Sequence, residues 1–224
     1  MAPFTGVQSS SEGALILPRI LFSCAGGHLA LPDRGAVLVS REDGGNLLVS
    51  PPREVWERCE LTPTELTQWS FLVAAAGQAM LRVLPQLEGG CINYWEAGNW
   101  ALNVAAEPPG PKTARDHRRM HLHLLGRSRT AADPAWQWGE APRFPDFAGR
   151  RSWAAKHERL TSGECSNIVI ETERLLRERY NMQREHIAAW ETCPGCSYPM
   201  VIAGKAENRC SECGDQHFGV CYLE

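Results

Sequence analysis

Four features that would narrow the class of this 224-residue protein are missing from its sequence. No apolar run approaches the roughly 20 residues that a membrane-spanning helix needs. The most apolar N-terminal stretch, residues 14–27, is broken by Pro18 and Arg19. No basic region precedes that stretch, so it lacks the pattern of a secretory signal peptide. We therefore expect a cytoplasmic protein that does not associate with membranes.

The sequence also lacks a strong excess of either charge and any internal repeat. Its 23 basic and 26 acidic residues give a net charge of −3, which argues against a general polyanion binder. Nucleic acid is therefore not the favoured partner. The composition, 43% hydrophobic and 22% charged, is that of a globular protein with a real core.

Changes in composition divide the chain into four predicted segments. Residues 1–13 are small and polar and predict a flexible leader. Residues 14–150 form the main domain, residues 151–190 a helical extension that packs on it, and residues 191–224 a cysteine-rich tail. Within the main domain, residues 130–150 carry aromatic residues among prolines and glycines, which predicts an irregular but packed segment.

Apolar periodicity predicts several strands. "GAVLVS" (35–40) and "NLLVS" (46–50) predict a hairpin whose tight turn contains Asp43 and Gly44. "GCINYWE" (90–96) predicts another strand, and "MHLHLLGRS" (120–128) a further one.

Two capping boxes predict helices. Thr62 and Glu65 open a helix within residues 61–84, and Thr161 and Glu164 open one that runs to about residue 185. The apolar positions expected in the second helix are Ile168, Ile170, Leu175, Leu176 and Tyr180.

The tail contains two CxxC pairs, "CPGC" and "CSEC", separated by 13 residues. Four thiolates at this spacing, Cys193, Cys196, Cys210 and Cys213, predict a structural zinc ribbon. A redox CxxC or two disulfides are the competing interpretations, but a reduced compartment disfavours disulfides. The single cysteines Cys24, Cys59, Cys91 and Cys165 are expected to be buried, inert thiols.

The pair His121 and His123 lies in an otherwise apolar run. In a strand, alternate residues point to the same side, so both imidazoles should project together while Met120, Leu122 and Leu124 face the core. We therefore expect one side of this strand to be wet and functional.

Basic residues bracket the histidine pair and favour a phosphate ligand. They are Lys112, Arg115, Arg118, Arg119, Arg127 and Arg129. A neutral histidine can attack phosphorus to give a phosphoramidate, and a second imidazole can hold the phosphoryl oxygens or transfer a proton. The alternative is a metal site, because HxH on a strand also supplies two ligands. Candidates for its third ligand are Asp116, His117 and Glu96.

"MHLHLLGR" resembles the histidine-triad (HIT) motif of nucleotide hydrolases and transferases. The order of elements over about residues 35–130 is similar to that family: a strand pair ending in "PPREV", a helix opened by "LTPTEL", then "INYWEAGNW" and the histidine strand. The resemblance implies an α+β fold, with a HIT-like antiparallel sheet flanked by helices in a homodimer. The small C-terminal zinc ribbon is an addition to it.

The resemblance also implies roles for individual residues. His121 matches the nucleophilic middle histidine, His123 the last histidine that contacts phosphate, and Asn93 the asparagine before the triad. Gly98 matches the glycine that follows, and Asp43 is the candidate for binding ribose hydroxyls. The remaining residues expected to bind nucleotide or phosphate are Asn99, His117, Arg119 and Arg127.

Two positions depart from the family pattern. The first triad position is Arg119 rather than histidine, and Glu54 stands where the family's basic signature ends in histidine. Either His117 bends back to supply the missing imidazole, or Arg119 takes over phosphate binding.

The implied function is a phosphohydrolase or nucleotidyl transferase. It would act on a nucleoside phosphate, dinucleoside polyphosphate or phosphoramidate through a covalent nucleotidyl-histidine. One alternative is a catalytically weakened nucleotide-binding or regulatory module whose ribbon contacts a partner. The other is a metal-dependent enzyme that uses the HxH pair.

Overall fold

The computed structural model describes residues 19–182 and, beyond them, the backbone of four short strands. The main-sheet strands are β1 (Arg19–Cys24), β2 (Gly27–Leu31), β3 (Asn46–Ser50), β4 (Cys91–Ala97) and β5 (His121–Arg127). The α-helices are α1 (Pro63–Val83), α2 (Ala114–His117), α3 (Arg150–Ala154) and α4 (Ser162–Tyr180). No helix in residues 19–182 is both long and apolar enough to cross a membrane.

The tail contributes four strands: β6 (Trp190–Thr192), β7 (Pro199–Val201), β8 (Glu207–Arg209) and β9 (Gln216–Phe218). β6 pairs with β7 and β8 with β9, both antiparallel. One CxxC pair falls in the sequence between β6 and β7, and the other between β8 and β9. The predicted zinc ligands Cys193, Cys196, Cys210 and Cys213 lie outside the described residues.

The five strands of the main sheet pair antiparallel in the order β1-β2-β3-β5-β4, which makes the fold α+β. β3, β4 and β5 confirm the predicted strands. The predicted strand at residues 35–40 is wrong: it contains the end of a short 3₁₀ turn (Arg34–Ala36) followed by extended chain. Since β3 is already paired with β2 and β5, no edge of β3 is left for residues 35–40 to join.

Both predicted capping boxes are present. Thr62 Oγ1 accepts from the Glu65 N–H at 3.2 Å, and the Glu65 carboxylate accepts from the Thr62 N–H at 2.8 Å. Thr161 and Glu164 make the same reciprocal pair. α4 ends at Tyr180, before the predicted residue 185, because Asn181 adopts the left-handed conformation that terminates helices.

Two hydrophobic clusters lie on opposite faces of the sheet. α1 and α4 cover one face and form the main core with residues such as Leu47, Trp69 and Leu122. The other face carries a smaller cluster of Leu38, Val39, Leu125, Ala135 and Trp136. This second cluster confirms that part of residues 130–150 is packed.

Some apolar and cysteine predictions are wrong. Ile170, assigned to the buried side of α4, has 55% of its surface exposed. Cys165 is buried as expected, but Cys59 and Cys91 are exposed and Cys24 is half-buried. Cys59 lies in an isolated 3₁₀ turn and Cys91 begins the edge strand β4, and neither position is covered by a second layer. Burial raises the pKa of the Cys24 thiol to about 11, so this thiol is inert.

Candidate functional site

The histidine pair lies on β5, between β3 and β4. Met120, Leu122 and Leu124 pack into the main core, as predicted, so His121 and His123 share the opposite face. The two imidazole centroids are 5.1 Å apart. Strand alternation therefore places both imidazoles on one side of the sheet.

His123 is buried, which corrects the expectation of a fully wet face. Its ring lies 5.2 Å from Trp95, and Trp95 stacks on Phe144 at 4.3 Å. Burial, with a smaller contribution from His121, lowers the pKa of His123 to about 3. Its Nδ1 is buried without a hydrogen-bond partner in the described residues. His123 is therefore a neutral imidazole at pH 7.

A segment after β5 packs on Trp95, the ring neighbour of His123, and Arg127 anchors this segment. The Arg127 guanidinium donates to the carbonyl oxygens of Gln137 at 2.8 Å and Glu140 at 3.0 Å, and only 4% of the residue is exposed. We call residues 134–144, which include Trp136 and Phe144, the roof. Arg127 was predicted to bind phosphate, but its side chain is occupied in holding the roof.

His121 is half-buried and has a fixed tautomer. Its Nδ1–H donates to the carbonyl oxygen of Arg119 at 3.0 Å. Nε2 makes no hydrogen bond within residues 19–182 and keeps its lone pair. Burial lowers the pKa of His121, the Arg119 carbonyl raises it and the charge of Arg118 lowers it further. The result is a neutral imidazole whose Nε2 can act as a nucleophile.

The two departures from the triad pattern contact each other. Arg119 Nε donates to the Glu54 carboxylate at 2.8 Å, with both side chains largely in solvent. Both residues lie at the His121 end of β5, because Arg119 precedes this strand and the Val55 carbonyl, next to Glu54, accepts from the Met120 N–H. An incoming phosphate would therefore compete with Glu54 for the Arg119 guanidinium.

Three of the six residues in the predicted cationic cluster, Arg115, Arg118 and Arg119, are paired with glutamates. Arg118 is half-buried and pairs with Glu57 at 3.0 Å and with Glu96 at 3.1 Å. Arg58 also contacts Glu96, and Arg115 lies 3.7 Å from Glu60. Because the sequence pattern records the arginines but not their partners, it overstates the positive charge available to a phosphate.

Gly98 and Asn99 lie near the His121 end of the sheet. Gly98 has a φ of +122°, and a Cβ there would come within 2.9 Å of the Arg119 carbonyl oxygen, the acceptor for His121. A side chain at this position would therefore disturb the bond that orients His121. Asn99 starts the 3₁₀ turn that follows and is exposed.

Asn93 and Asp43 are not brought to His121. Asn93 pairs with Leu125, four residue pairs along β4 from the Ala97–His121 pair. Asp43 is buried at the opposite end of β5, where its carboxylate accepts from the Ala132 N–H at 2.6 Å and its carbonyl accepts from the Ser128 N–H. Asp43 therefore closes the loop after β5 instead of facing a ribose next to His121.

His117 does not contact His121 either. It ends α2, and its Nδ1 lies 3.2 Å from the Thr113 backbone nitrogen, within its own turn. Of the two sequence alternatives, only Arg119 is held beside the His121 backbone. In residues 19–182, no cluster of three or more His, Cys, Asp or Glu side chains could hold a metal ion, so the HxH pair has no third ligand there.

Sequence analysis missed three polar residues on the histidine face: Ser23, His28 and Ser50. They lie on β1, β2 and β3, in register with one another. In the sequence, polar His28 is followed by apolar Leu29 and Ala30, which is compatible with a strand. However, no strand was predicted over residues 19–31, so these three residues were missed.

Two cavities in the described residues lie away from the His121 and His123 side chains. A cavity of about 690 Å³ is lined by residues 154–162 together with Arg34 and Val37. One of about 260 Å³ lies between α1 and β4 on the core face, beside Trp69 and Tyr94.

No protein-family model matches this chain, and no curated protein matches it in sequence. The functional argument therefore depends on the residues of the His121 site.

Proposed function

We propose that the chain is a HIT-like phosphohydrolase or nucleotidyl transferase acting on a nucleoside phosphate, dinucleoside polyphosphate or phosphoramidate. The observation that carries this proposal is the 3.0 Å bond from His121 Nδ1–H to the Arg119 carbonyl. It leaves a neutral imidazole with its Nε2 lone pair directed away from that bond. The resemblance of "MHLHLLGR" and its neighbouring elements to the HIT family supports the same assignment.

In the first step, the Nε2 lone pair of His121 attacks the α-phosphorus of the nucleotide. The P–Nε2 bond forms as the bond from phosphorus to the leaving group breaks, and the leaving group departs with that electron pair. The imidazole gains positive charge, which the Arg119 carbonyl stabilises through the Nδ1–H. Neutral His123, 5.1 Å away, adds no competing positive charge.

In the second step, an acceptor attacks the phosphorus and returns the electron pair to Nε2. Water as acceptor gives hydrolysis, and an alcohol or phosphate gives nucleotidyl transfer. Arg119 can bind a phosphoryl oxygen once it exchanges its Glu54 partner for the substrate.

A nucleotide-binding module without turnover is the second candidate, and one observation favours it. The arginines nearest the histidines already have carboxylate partners, namely Glu54, Glu57 and Glu96. Such a module would bind nucleotide at the sheet surface but form no bond to His121.

Intact-mass measurement separates these functions. The full-length protein is incubated with AMP phosphoramidate or diadenosine tetraphosphate, with and without chelator, and quenched in base because phosphoramidates are labile in acid. We expect a nucleotidyl adduct that His121→Ala abolishes and that chelator does not affect. Tight nucleotide binding without adduct or turnover would support the binding module. Turnover lost on chelation from a folded protein would support the metal-dependent alternative.

A further inference from the structure

A row of polar side chains crosses the sheet on the His121 side. Ser23 pairs with His28 across β1 and β2, and His28 pairs with Ser50 across β2 and β3. Val49 pairs with Leu122, so the next residues outward, Ser50 and His121, are neighbours at the end of the β3–β5 ladder.

The core contacts confirm that this row shares one face. Leu29 pairs with Val49, Val49 pairs with Leu122, and all three pack into the main core. Their neighbours in sequence, His28, Ser50 and His121, must therefore point to the other side. Each of these three is half-buried, in contrast to buried His123 in the adjacent row.

His28 is oriented by a hydrogen bond of its own. Its Nδ1 lies 2.7 Å from Ser23 Oγ, and its Nε2 makes no hydrogen bond within residues 19–182. In the tautomer whose Nδ1–H donates to Ser23, the Nε2 lone pair is free to accept a proton. Ser23 therefore bears the same relation to His28 as the Arg119 carbonyl bears to His121.

The spacing of the two imidazoles fits a phosphoryl group and one water. His28 and His121 are two strands apart, which separates their Cα atoms by about 10 Å. An attacking water lies about 3 to 3.5 Å from phosphorus, and its general base a further 2.6 to 3.2 Å away, roughly. With the P–N bond added, His121, phosphorus, water and His28 span about 8 Å. The imidazole rings of His28 and His121, on either side of Ser50, can therefore accommodate the phosphorus and the water between them.

We propose that His28 is the general base for hydrolysis of the nucleotidyl-His121 intermediate, with Ser23 as its positioning residue. This inference rests on the proposed function. His28 Nε2 takes a proton from the water as its oxygen bonds to phosphorus. The P–Nε2 bond to His121 breaks and its electron pair returns to the imidazole, which leaves the nucleoside monophosphate as product. Formation of the intermediate does not involve His28.

Rapid mixing of the full-length protein with AMP phosphoramidate, followed by a base quench and intact-mass detection, measures adduct formation and decay separately. We expect His28→Gln to form the adduct at the wild-type rate and to slow its decay by on the order of 100-fold or more. Ser23→Ala should slow decay to a smaller extent and leave formation unchanged. Ser70→Ala, on the solvent side of α1, is the matched serine control and should change neither rate.

Three results would overturn the role of His28 or the proposed function. Wild-type decay in folded His28→Gln, or equal loss of formation and decay, would overturn the role of His28 while leaving His121 as nucleophile. Absence of any adduct in the wild-type protein would overturn the proposed function, and this inference with it. His28→Ala is measured in parallel with thermal unfolding, so that the comparison uses a variant that folds.

Discussion

At the scale of single residues, the two histidines of "MHLHLLGR" have different environments despite their identical strand orientation. His121 is half-buried, with one nitrogen bonded and the other free. His123 lies under aromatic rings and has a buried nitrogen without a partner in the described residues. The strand period predicts that they share a side but cannot predict this difference, because the roof comes from residues further along the chain.

The buried His123 should make stability depend on pH. Its pKa is 6.5 in a model peptide and about 3 in the fold, so its contribution is complete above pH 6.5 and is lost as the pH falls towards 3. We expect the free energy of unfolding to drop by about 1 to 2 kcal/mol between pH 6.5 and 5. Lowered pKa values of His28 and His121 act in the same direction.

His123→Leu tests this assignment by urea unfolding at both pH values. The drop should shrink in the variant, because the group that resists protonation is gone. Stability at pH 7 should be unchanged or higher, since replacing an unpaired buried polar group with an apolar one removes a desolvation cost. An identical drop in the wild-type protein and the variant would contradict it.

The Glu54–Arg119 pair should restrain phosphate binding. We expect Glu54→Gln to tighten AMP binding by about two- to fivefold at low salt, because the Arg119 guanidinium no longer needs to leave a carboxylate. The thermal midpoint should hardly move, since exposed ion pairs contribute little to stability. Isothermal titration calorimetry measures the affinity.

Glu171→Gln is the matched control for that measurement. Glu171 also pairs with an arginine, Arg82 at 2.8 Å, but it lies on α4, which packs against the opposite face of the sheet. Equal tightening in both variants would indicate a general charge effect and not a local competition at Arg119.

At the scale of elements, sequence patterns predict those structures whose signals are local. The capping boxes at Thr62 and Thr161 each lie within four consecutive residues, and both helices begin where predicted. The predicted strand at residues 35–40 failed because pairing depends on which edges are free, which is a property of the whole sheet. The role of Arg127 could not be predicted because its acceptors lie 10 and 13 residues away, in an irregular segment.

Arg127 should stabilise the whole roof. Arg127→Met leaves the carbonyls of Gln137 and Glu140 without their donor, and we expect a loss of about 2 to 3 kcal/mol of unfolding free energy. Hydrogen exchange should accelerate over residues 134–144 while α1 and α4 keep their protection. Arg129→Met is the control: its exposed guanidinium lies 5.7 Å from the Trp138 ring centre, so its loss should cost less than about 1 kcal/mol. Unchanged exchange in the roof of Arg127→Met would contradict this assignment.

At the scale of the whole molecule, the tail contacts the main domain, because the tail strand β7 lies beside β1 and α4. Among residues 19–182, the main core lies between one face of the sheet and the helices α1 and α4. The tail pairs its strands as β6 with β7 and β8 with β9. Each CxxC falls in sequence between two paired strands, which agrees with the predicted zinc ribbon without testing it.

Metal analysis of the purified chain tests the ribbon. We expect about one zinc ion per chain, because four thiolates form a closed tetrahedral site. Cys193→Ser should lower the zinc content, and the main unfolding transition should remain. Cys59→Ser, which removes an exposed single cysteine, should retain the metal. Zinc content unaffected by Cys193→Ser would exclude this site, and thiol titration would then distinguish free CxxC pairs from disulfides.

The roof packs on Trp95 beside His123, whereas His121 is half-buried. For the proposed reaction, we therefore expect the substrate to reach His121 from the strand end near Arg119 and the leaving group to depart along the same path. Groups attached to the leaving group would then extend into solvent. Bulk on the opposite side meets Trp95 and Phe144. For the proposed reaction, selectivity should thus act on the part of the substrate that stays attached to His121, and the departing part should be allowed to vary widely in size.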